Sequence, residues 1–190
     1  MSSWPVATGT AEPCLAAAAW DVLVDARMRK RASPELQRGL ARLVIGLGPG
    51  FVAGGNVDLA VETTWGERLG TLVEAGPTLP LAGEPHAIDG VGRERLAYAP
   101  AEGVWRTEFY IGAPVAAGRV VGHVGETPVA APIGGVLRGL TWDGVPVTRG
   151  TKIVEVDPRG AERAPLRGRG ERPRRVAVGA AAAVSRLAVS

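Results

Sequence analysis

The chain is poor in the residues from which most reactive sites are built. Its 190 residues include one cysteine, Cys14, two histidines, His86 and His123, and two lysines, Lys30 and Lys152. A single cysteine excludes an internal disulfide and fits a reducing compartment, so a cytoplasmic location is expected. One thiol and two distant imidazoles do not make a Cys/His zinc set, which leaves only a hard ion held by carboxylates as a candidate metal. Cys14 has no basic activator beside it and is expected to be an ordinary buried thiol. His86, in a loop rich in Pro and Gly, and His123, in a strand, are expected to be structural or surface residues. No apolar run reaches the ~20 residues of a membrane span, and MSSWPVATGT lacks the basic and apolar regions of a secretory signal. Aromatics make up only 5% of the chain. The eight arginines and two glutamates from Arg159 onward therefore read as a solvated basic connection, without the interleaved rings that stack on bases. Neither a membrane nor a nucleic-acid partner is expected.

What the chain does have is 27 glycines, 15 prolines and 46% hydrophobic residues. Punctuation of that density predicts many turns and short strands, hence a mainly β fold. AEPCLAAAA reads as a short helix with Pro13 near its start, and DVLVDA (21–26) as a buried strand ending in Asp25. Residues 27–31 form a basic connection. Ser33-Pro34-Glu35 reads as an N-cap with proline at the first helical position, opening a short helix to Leu40. Leu43–Leu47 is a buried strand. In 56–64, Val57, Leu59 and Val61 alternate with Asp58, Ala60 and Glu62, the period of a half-buried strand. Strands at 69–74 and 93–99 flank a loop over 76–92.

LVIGLGPGF (43–51) places Gly46, Gly48, Pro49 and Gly50 after the buried strand. A nucleotide loop opens a helix whose terminal amides hold the phosphate. Here Phe51 and a further glycine pair lead into another strand, there is no GK[ST], and the spacing is not G-x-G-x-x-G. The stretch is expected to be a strand-to-strand turn whose amides face a pocket shared with Asp58 and Glu62. Those two carboxylates lie four residues apart in a predicted strand. They form either an acidic mouth beside the loop or the solvated face of a half-buried strand. Asp25 ends its strand where α/β proteins place functional carboxylates, and equally where a residue would cap the next turn.

The strongest internal signal is a repeat. Residues 99–124 align with 131–156 without a gap, every landmark displaced by 32: Ala99-Pro100 with Ala131-Pro132, Gly103-Val104 with Gly135-Val136, Gly112 with Gly144, Pro114-Val115 with Pro146-Val147, and Gly118 with Gly150. One supersecondary unit is used twice. Residues 99–157 are expected to form one compact barrel with an internal two-fold. This layout resembles the biotinyl/lipoyl-like barrel-sandwich hybrid. The joining segment Gly125-Glu126-Thr127-Pro128 has no lysine, and Lys152 lies in the last strand, so no biotin or lipoate is expected.

DVLVDARMRKR, LVIGLGPGFVAGGNVDLAVETTWGERLGTLV, GEPHAIDGVGRERLAYAPAEGVW and APIGGVLRGLTWDGVPVTRGTKIVEVDPRG, taken in order, resemble the YqeB-type accessory proteins of selenium-dependent molybdenum hydroxylases over roughly residues 20–160. The resemblance implies an accessory role in maturing such an enzyme. It also implies a Rossmann-like region, of which only the last elements lie in residues 1–41. The family's histidine after the glycine loop is Asp58 here, its Gly-His is Gly66-Glu67, and its cysteine segment is replaced by AERAPLRGRGERPRR. The closing RRVAVGAAAAVSRL resembles the family's glycine-rich helix. The expected organisation is 1–41, remnant of the Rossmann-like region; 42–98, glycine-loop β-rich domain; 99–158, barrel-sandwich hybrid; and 159–190, basic linker and C-terminal helix. The expected role is a binding or docking module for the hydroxylase, its cofactor or its maturation machinery. The alternative is an enzyme component in selenium or sulfur transfer, completed by a Rossmann domain on another chain. Scarcity of Cys and His favours the module. Candidate binding residues are Asp25, Gly46, Gly48, Pro49, Gly50, Phe51, Asp58 and Glu62; no catalytic residue and no cofactor is assigned.

Overall fold

The computed structural model describes residues 6–27, 29, 32–81 and 83–189. The protein is mainly β, and it divides into two compact units, Met1–Ala82 with Arg169–Ser190, and Gly83–Gly168.

The first unit opens with helix α1 (Glu12–Ala16), whose Pro13 sits in the first turn, where its missing N–H leaves no bond unmade. Strands β1 (Val22–Asp25), β2 (Leu43–Leu47), β3 (Val52–Ala53), β4 (Leu59–Val61), β5 (Leu72–Val73) and β6 (Gly76–Pro77) follow, and helix α2 (Glu171–Ser185) closes the unit. The sheet order is β1-β2-β4-β5. β1, β2 and β4 run parallel, with Asp25 opposite Gly46 and Gly46 opposite Ala60, and β5 returns antiparallel. β3 and β6 make a separate two-stranded ribbon.

Both faces of this sheet are covered. Val44, Ala60 and Val73 pack with Phe51, Ala53 and Val57. Leu43, Ile45 and Val61 pack with Ala183, and with Val176 and Leu187 beside it. The stripe 176, 179, 183 and 187 follows the helical repeat and turns α2 onto the sheet. Gly179 permits the contact, because a Cβ there would lie 2.3 Å from the carbonyl oxygen of Gly70.

Double coverage explains why the alternation expected over 56–64 is not found. Ala60, Val61 and Glu62 are buried in succession, as in a strand enclosed on both faces, and regular pairing is confined to Leu59–Val61. The expected helix from Ser33 to Leu40 does not form. The Gln37 amide donates to the Asn56 carbonyl, and the Pro34 carbonyl accepts from Asn56 Nδ2, so tertiary bonds hold the segment out of a helix despite its cap signature. The strand expected over 69–74 is limited to β5, after a turn. Cys14 is exposed rather than buried, because α1 buries none of its residues. Of the basic connection 27–31, Met28, Lys30 and Arg31 lie outside the described residues.

The second unit contains β7 (Leu96–Tyr98), β8 (Gly103–Arg106), β9 (Pro114–Val115), β10 (Val120–Val124), β11 (Thr127–Ala130), β12 (Gly135–Leu140), β13 (Pro146–Val147) and β14 (Lys152–Asp157). The strand expected from Arg93 begins at Leu96, after a 3₁₀ turn over Arg93–Arg95. The strands form two antiparallel sheets, β11-β10-β8-β13 and β7-β14-β12-β9. Neither closes, so the single barrel expected over 99–157 is replaced by two open four-stranded sheets.

The 32-residue displacement converts one sheet into the other, register included. Val147 opposite Gly103 maps onto Val115 opposite Gly135, and the bulge between Val120 and Gly122 maps onto that between Lys152 and Val154. The turn bonds exchange in the same way. Gly112 N–H donates to the Leu137 carbonyl and Gly144 N–H to the Trp105 carbonyl; Gly118 N–H donates to Ala131 and Gly150 N–H to Ala99. The short strands are exchanged, so β13 from the second half lies in the sheet of the first, and β9 the reverse. Where the halves differ in side chains, volume compensates. Trp105 stands where the other half has Leu137, and Gly122 where it has Val154; a Cβ on Gly122 would lie 2.4 Å from the indole.

Candidate functional site

Three parallel strands place their carboxyl ends on one edge of the first unit's sheet, the edge at which open parallel sheets bind ligands. It gathers Asp25 at the end of β1, the glycine loop after β2, and Glu62 and Thr63 after β4.

Asp25 is buried, and its carboxylate is enclosed by its own chain. It accepts the Arg27 backbone N–H at 3.0 Å, Arg27 Nε at 3.0 Å and Nη2 at 2.6 Å, and Gln37 Nε2 at 2.6 Å. Burial by itself would raise its pKa, but the Arg27 bonds, with that from Gln37, outweigh it and hold the carboxyl well below the usual carboxylate range. Arg27 and Arg29 both reach Glu35, at 2.7 and 2.5 Å. The Arg29 hydrogen bond, then that of Arg27, lowers Glu35 to about 2. The cluster holds two arginines against two carboxylates and ties Arg27, Arg29, Glu35 and Gln37 to the end of β1.

The glycine loop joins β2 to β3 and opens no helix. Its interior is filled by its own aromatic ring, since a Cβ on Gly46 would lie 2.3 Å from Phe51 Cγ. Gly48 and Gly50 adopt positive φ, at 107° and 88°, which a side chain rarely tolerates. Pro49 lies between them. Gly48 N–H donates to the Val61 carbonyl, and the Gly48 and Phe51 carbonyls accept the Thr78 hydroxyl at 2.9 and 3.1 Å. On the far side, a Cβ on Gly50 would lie 2.9 Å from Pro34 Cδ.

Glu62 is fully buried. Oε1 accepts the N–H groups of Thr63 and Thr64 at 2.7 and 2.8 Å, and Oε2 accepts that of Leu79 at 2.7 Å. Its carboxylate thus pins the 78–79 segment to the sheet edge. The Thr63 hydroxyl is buried and has no hydrogen-bond partner among the described residues.

Asp58 is not at this edge. It precedes β4, at the amino end, where Oδ2 accepts the Val44 N–H at 2.8 Å and Oδ1 accepts Arg38 Nε at 2.9 Å. Asp58 and Glu62 therefore lie at opposite ends of a three-residue strand. The sequence reading missed Gln37, Asn56 and Thr78. Asn56 accepts the Val52 N–H and donates to the Pro34 and Gly50 carbonyls, joining three segments. A Gly-Gly-Asn turn beside a glycine loop was the available signal.

Elsewhere, His86 offers its carbonyl to Arg95, His123 is exposed on β10, and Lys152 Nζ donates to Glu155 at 2.8 Å. Among the described residues no group of three or more His, Cys, Asp and Glu could hold a metal, and no helix is long and apolar enough to cross a membrane.

No family model matches the chain. A solved structure titled as the product-bound ectoine utilization protein EutE (DoeB) from Ruegeria pomeroyi covers 34% of this chain and 22% of its own, at 22% identity and a TM-score of 0.30, too slight a likeness to bear on the fold. A protein of Escherichia coli (strain K12) described as "Uncharacterized protein YqeB" is 39% identical over 121 residues, which is 64% of this chain. The chain spans 22% of that relative's length, and over the shared stretch it is similar to that YqeB protein.

Proposed function

We propose that this chain is an accessory module in the maturation of a molybdenum hydroxylase, selenium-dependent in the implied family, and that it acts by docking the hydroxylase or its cofactor rather than by catalysis. The observation that carries the reading is the state of the carboxylates at the sheet edge. Asp25 and Glu62 spend their acceptor oxygens on N–H groups of this chain, an arrangement that builds a rigid surface and leaves neither as a free base or nucleophile. β1 is an outer strand of a sheet whose first three strands are parallel, and Val24 on it is 40% exposed. We assign that edge to the Rossmann-like region implied by the family, supplied by a separate subunit in the cytoplasm. The paired sheets of the second unit we read as a barrel-sandwich hybrid of the biotinyl/lipoyl type without the carrier lysine, the turn after β10 being Gly125-Glu126. The test is deletion of the gene from its native host, with molybdenum and selenium measured in the purified hydroxylase. Loss of either element supports the reading, and a hydroxylase with full metal, selenium and activity refutes it.

One observation favours the alternative of selenium or sulfur transfer: Cys14 is exposed and accessible to a carrier. Complementation by Cys14→Ser separates the two. Full rescue removes the transfer reading, and loss of rescue by a folded variant supports it.

A further inference from the structure

The arginines near the C-terminus are not all solvated connection. The turn over residues 66–71 lies directly on α2, and two glycines make this approach possible. A Cβ on Gly70 would lie 2.4 Å from the Arg175 carbonyl oxygen, and one on Gly179 would lie 2.3 Å from that of Gly70. Between turn and helix remains a cleft of about 380 Å³ lined by Leu69, Gly70, Thr71, Arg174, Arg175 and Val178. Arg175 is anchored, its Nη2 donating to the Glu67 carbonyl at 3.2 Å, and among the described residues its charge meets a carboxylate only in a long ion pair, 3.8 Å to Glu171. The guanidinium of Arg174 has no bond to any described residue. Val178, one turn on, is 66% exposed. Arg167, Arg169 and Arg172 precede them, so five arginines and one glutamate, Glu171, fall within nine residues.

We propose that this cleft is a docking site for an acidic segment of a partner protein, carboxylates pairing with Arg174 and Arg175 while an apolar side chain covers Val178. The fork of a guanidinium matches a carboxylate with two parallel bonds, and an anchored fork loses little freedom on binding. The volume suits a few side chains. RNA is the less favoured occupant, because no aromatic ring lines the cleft to stack on a base. The site shares no residue with the sheet edge discussed above, and its test reads binding alone, so it stands or falls separately from the maturation role.

The experiment titrates the full chain with a fluorescein-labelled peptide of glutamate pairs separated by leucines, with its glutamine counterpart and with a short single-stranded RNA. Binding of the acidic peptide is expected to weaken about tenfold or more in Arg174→Gln, which removes a guanidinium that bonds to no described residue. It should also weaken as salt shortens the screening length from about 10 Å at 0.1 M to about 3 Å at 1 M. Arg175→Lys keeps the charge but loses the fork and should weaken binding too. Arg119→Gln, an equal loss of charge on an exposed turn of the second unit, should leave it unchanged. Thermal midpoints equal to wild type establish that the variants are folded. Equal binding of the two peptides, or no effect of Arg174→Gln, overturns the proposal. Tighter binding of RNA than of the acidic peptide, lost in Arg174→Gln, assigns the cleft to nucleic acid and overturns it as well.

Discussion

Replacing Glu62 by glutamine tests whether a buried carboxylate holds the carboxyl edge together. Glutamine has the same shape but only one acceptor oxygen. In the better orientation that oxygen keeps the Thr63 and Thr64 N–H groups, and the NH₂ then faces the Leu79 N–H, donor against donor. A hydrogen bond to a charged acceptor contributes about 1.5–3 kcal/mol, and a buried donor left without a partner costs about 1–3 kcal/mol; both figures describe the one lost bond and are not added. The two retained bonds fall from charge-assisted to neutral strength, roughly a halving. Against this, a neutral amide is easier to bury than a carboxylate. The net is a loss of about 2–4 kcal/mol, and at about 2–4 °C per kcal/mol for a chain of this size the midpoint falls by about 5–15 °C. Thermal unfolding followed by circular dichroism reads the total. Amide hydrogen exchange places it, with protection lost first at Leu79. A Glu62→Gln protein within about 0.5 kcal/mol of wild type would refute the pinning role.

Gly179→Ala sets two effects against each other. Alanine is favoured in a helix interior by up to about 1 kcal/mol, and overpacking against Gly70 and Val61 costs about 1–3 kcal/mol, so denaturant melts should show net destabilisation; a stabilised variant would contradict the close approach. In the second unit, the hydrogen bonds of Arg159, opposed by burial, hold Asp157 at about 2. Because the folded value is depressed, its stabilisation is fully present above the unfolded value of about 3.9 and is lost as pH falls toward about 2. Stability of that unit should decline across this window, and Asp157→Asn should flatten the decline; identical acid profiles would exclude Asp157 as its source. Cys14 should react in the native protein with one equivalent of a thiol reagent at the rate of an exposed thiol, and protection until unfolding would contradict its placement.

The second unit was legible because its turns are written in residues with backbone meaning. Glycine and proline recur at 112, 114, 118, 144, 146 and 150, and strand boundaries follow them. The exchange of β9 and β13 was not legible, since a repeat fixes what each half contains but not which sheet receives each strand. In the first unit, the glycine turn and β2 could be read from local chemistry. The helix at Ser33 could not, because Gln37 is drawn to Asp25 and Asn56, partners far away in sequence. Asp58 and Glu62 were grouped by a period of two, which assigns a face but carries no information about the ends of a strand. Their carboxylates instead bond backbone amides at opposite edges.

Each half of the second unit lends its short strand to the other, so neither half is a complete structure. Half a unit would present, along β8 or β12, the hydrogen-bonding edge that β13 or β9 normally occupies. The piece that fits this edge is the equivalent strand of a second half, in the same register. The unit is in this sense a two-fold pair within one polypeptide whose halves differ in core partners, Trp105 with Gly122 in one and Leu137 with Val154 in the other. A chain holding one half alone would have to pair with a second copy, and joining the halves makes that concentration-dependent association intramolecular.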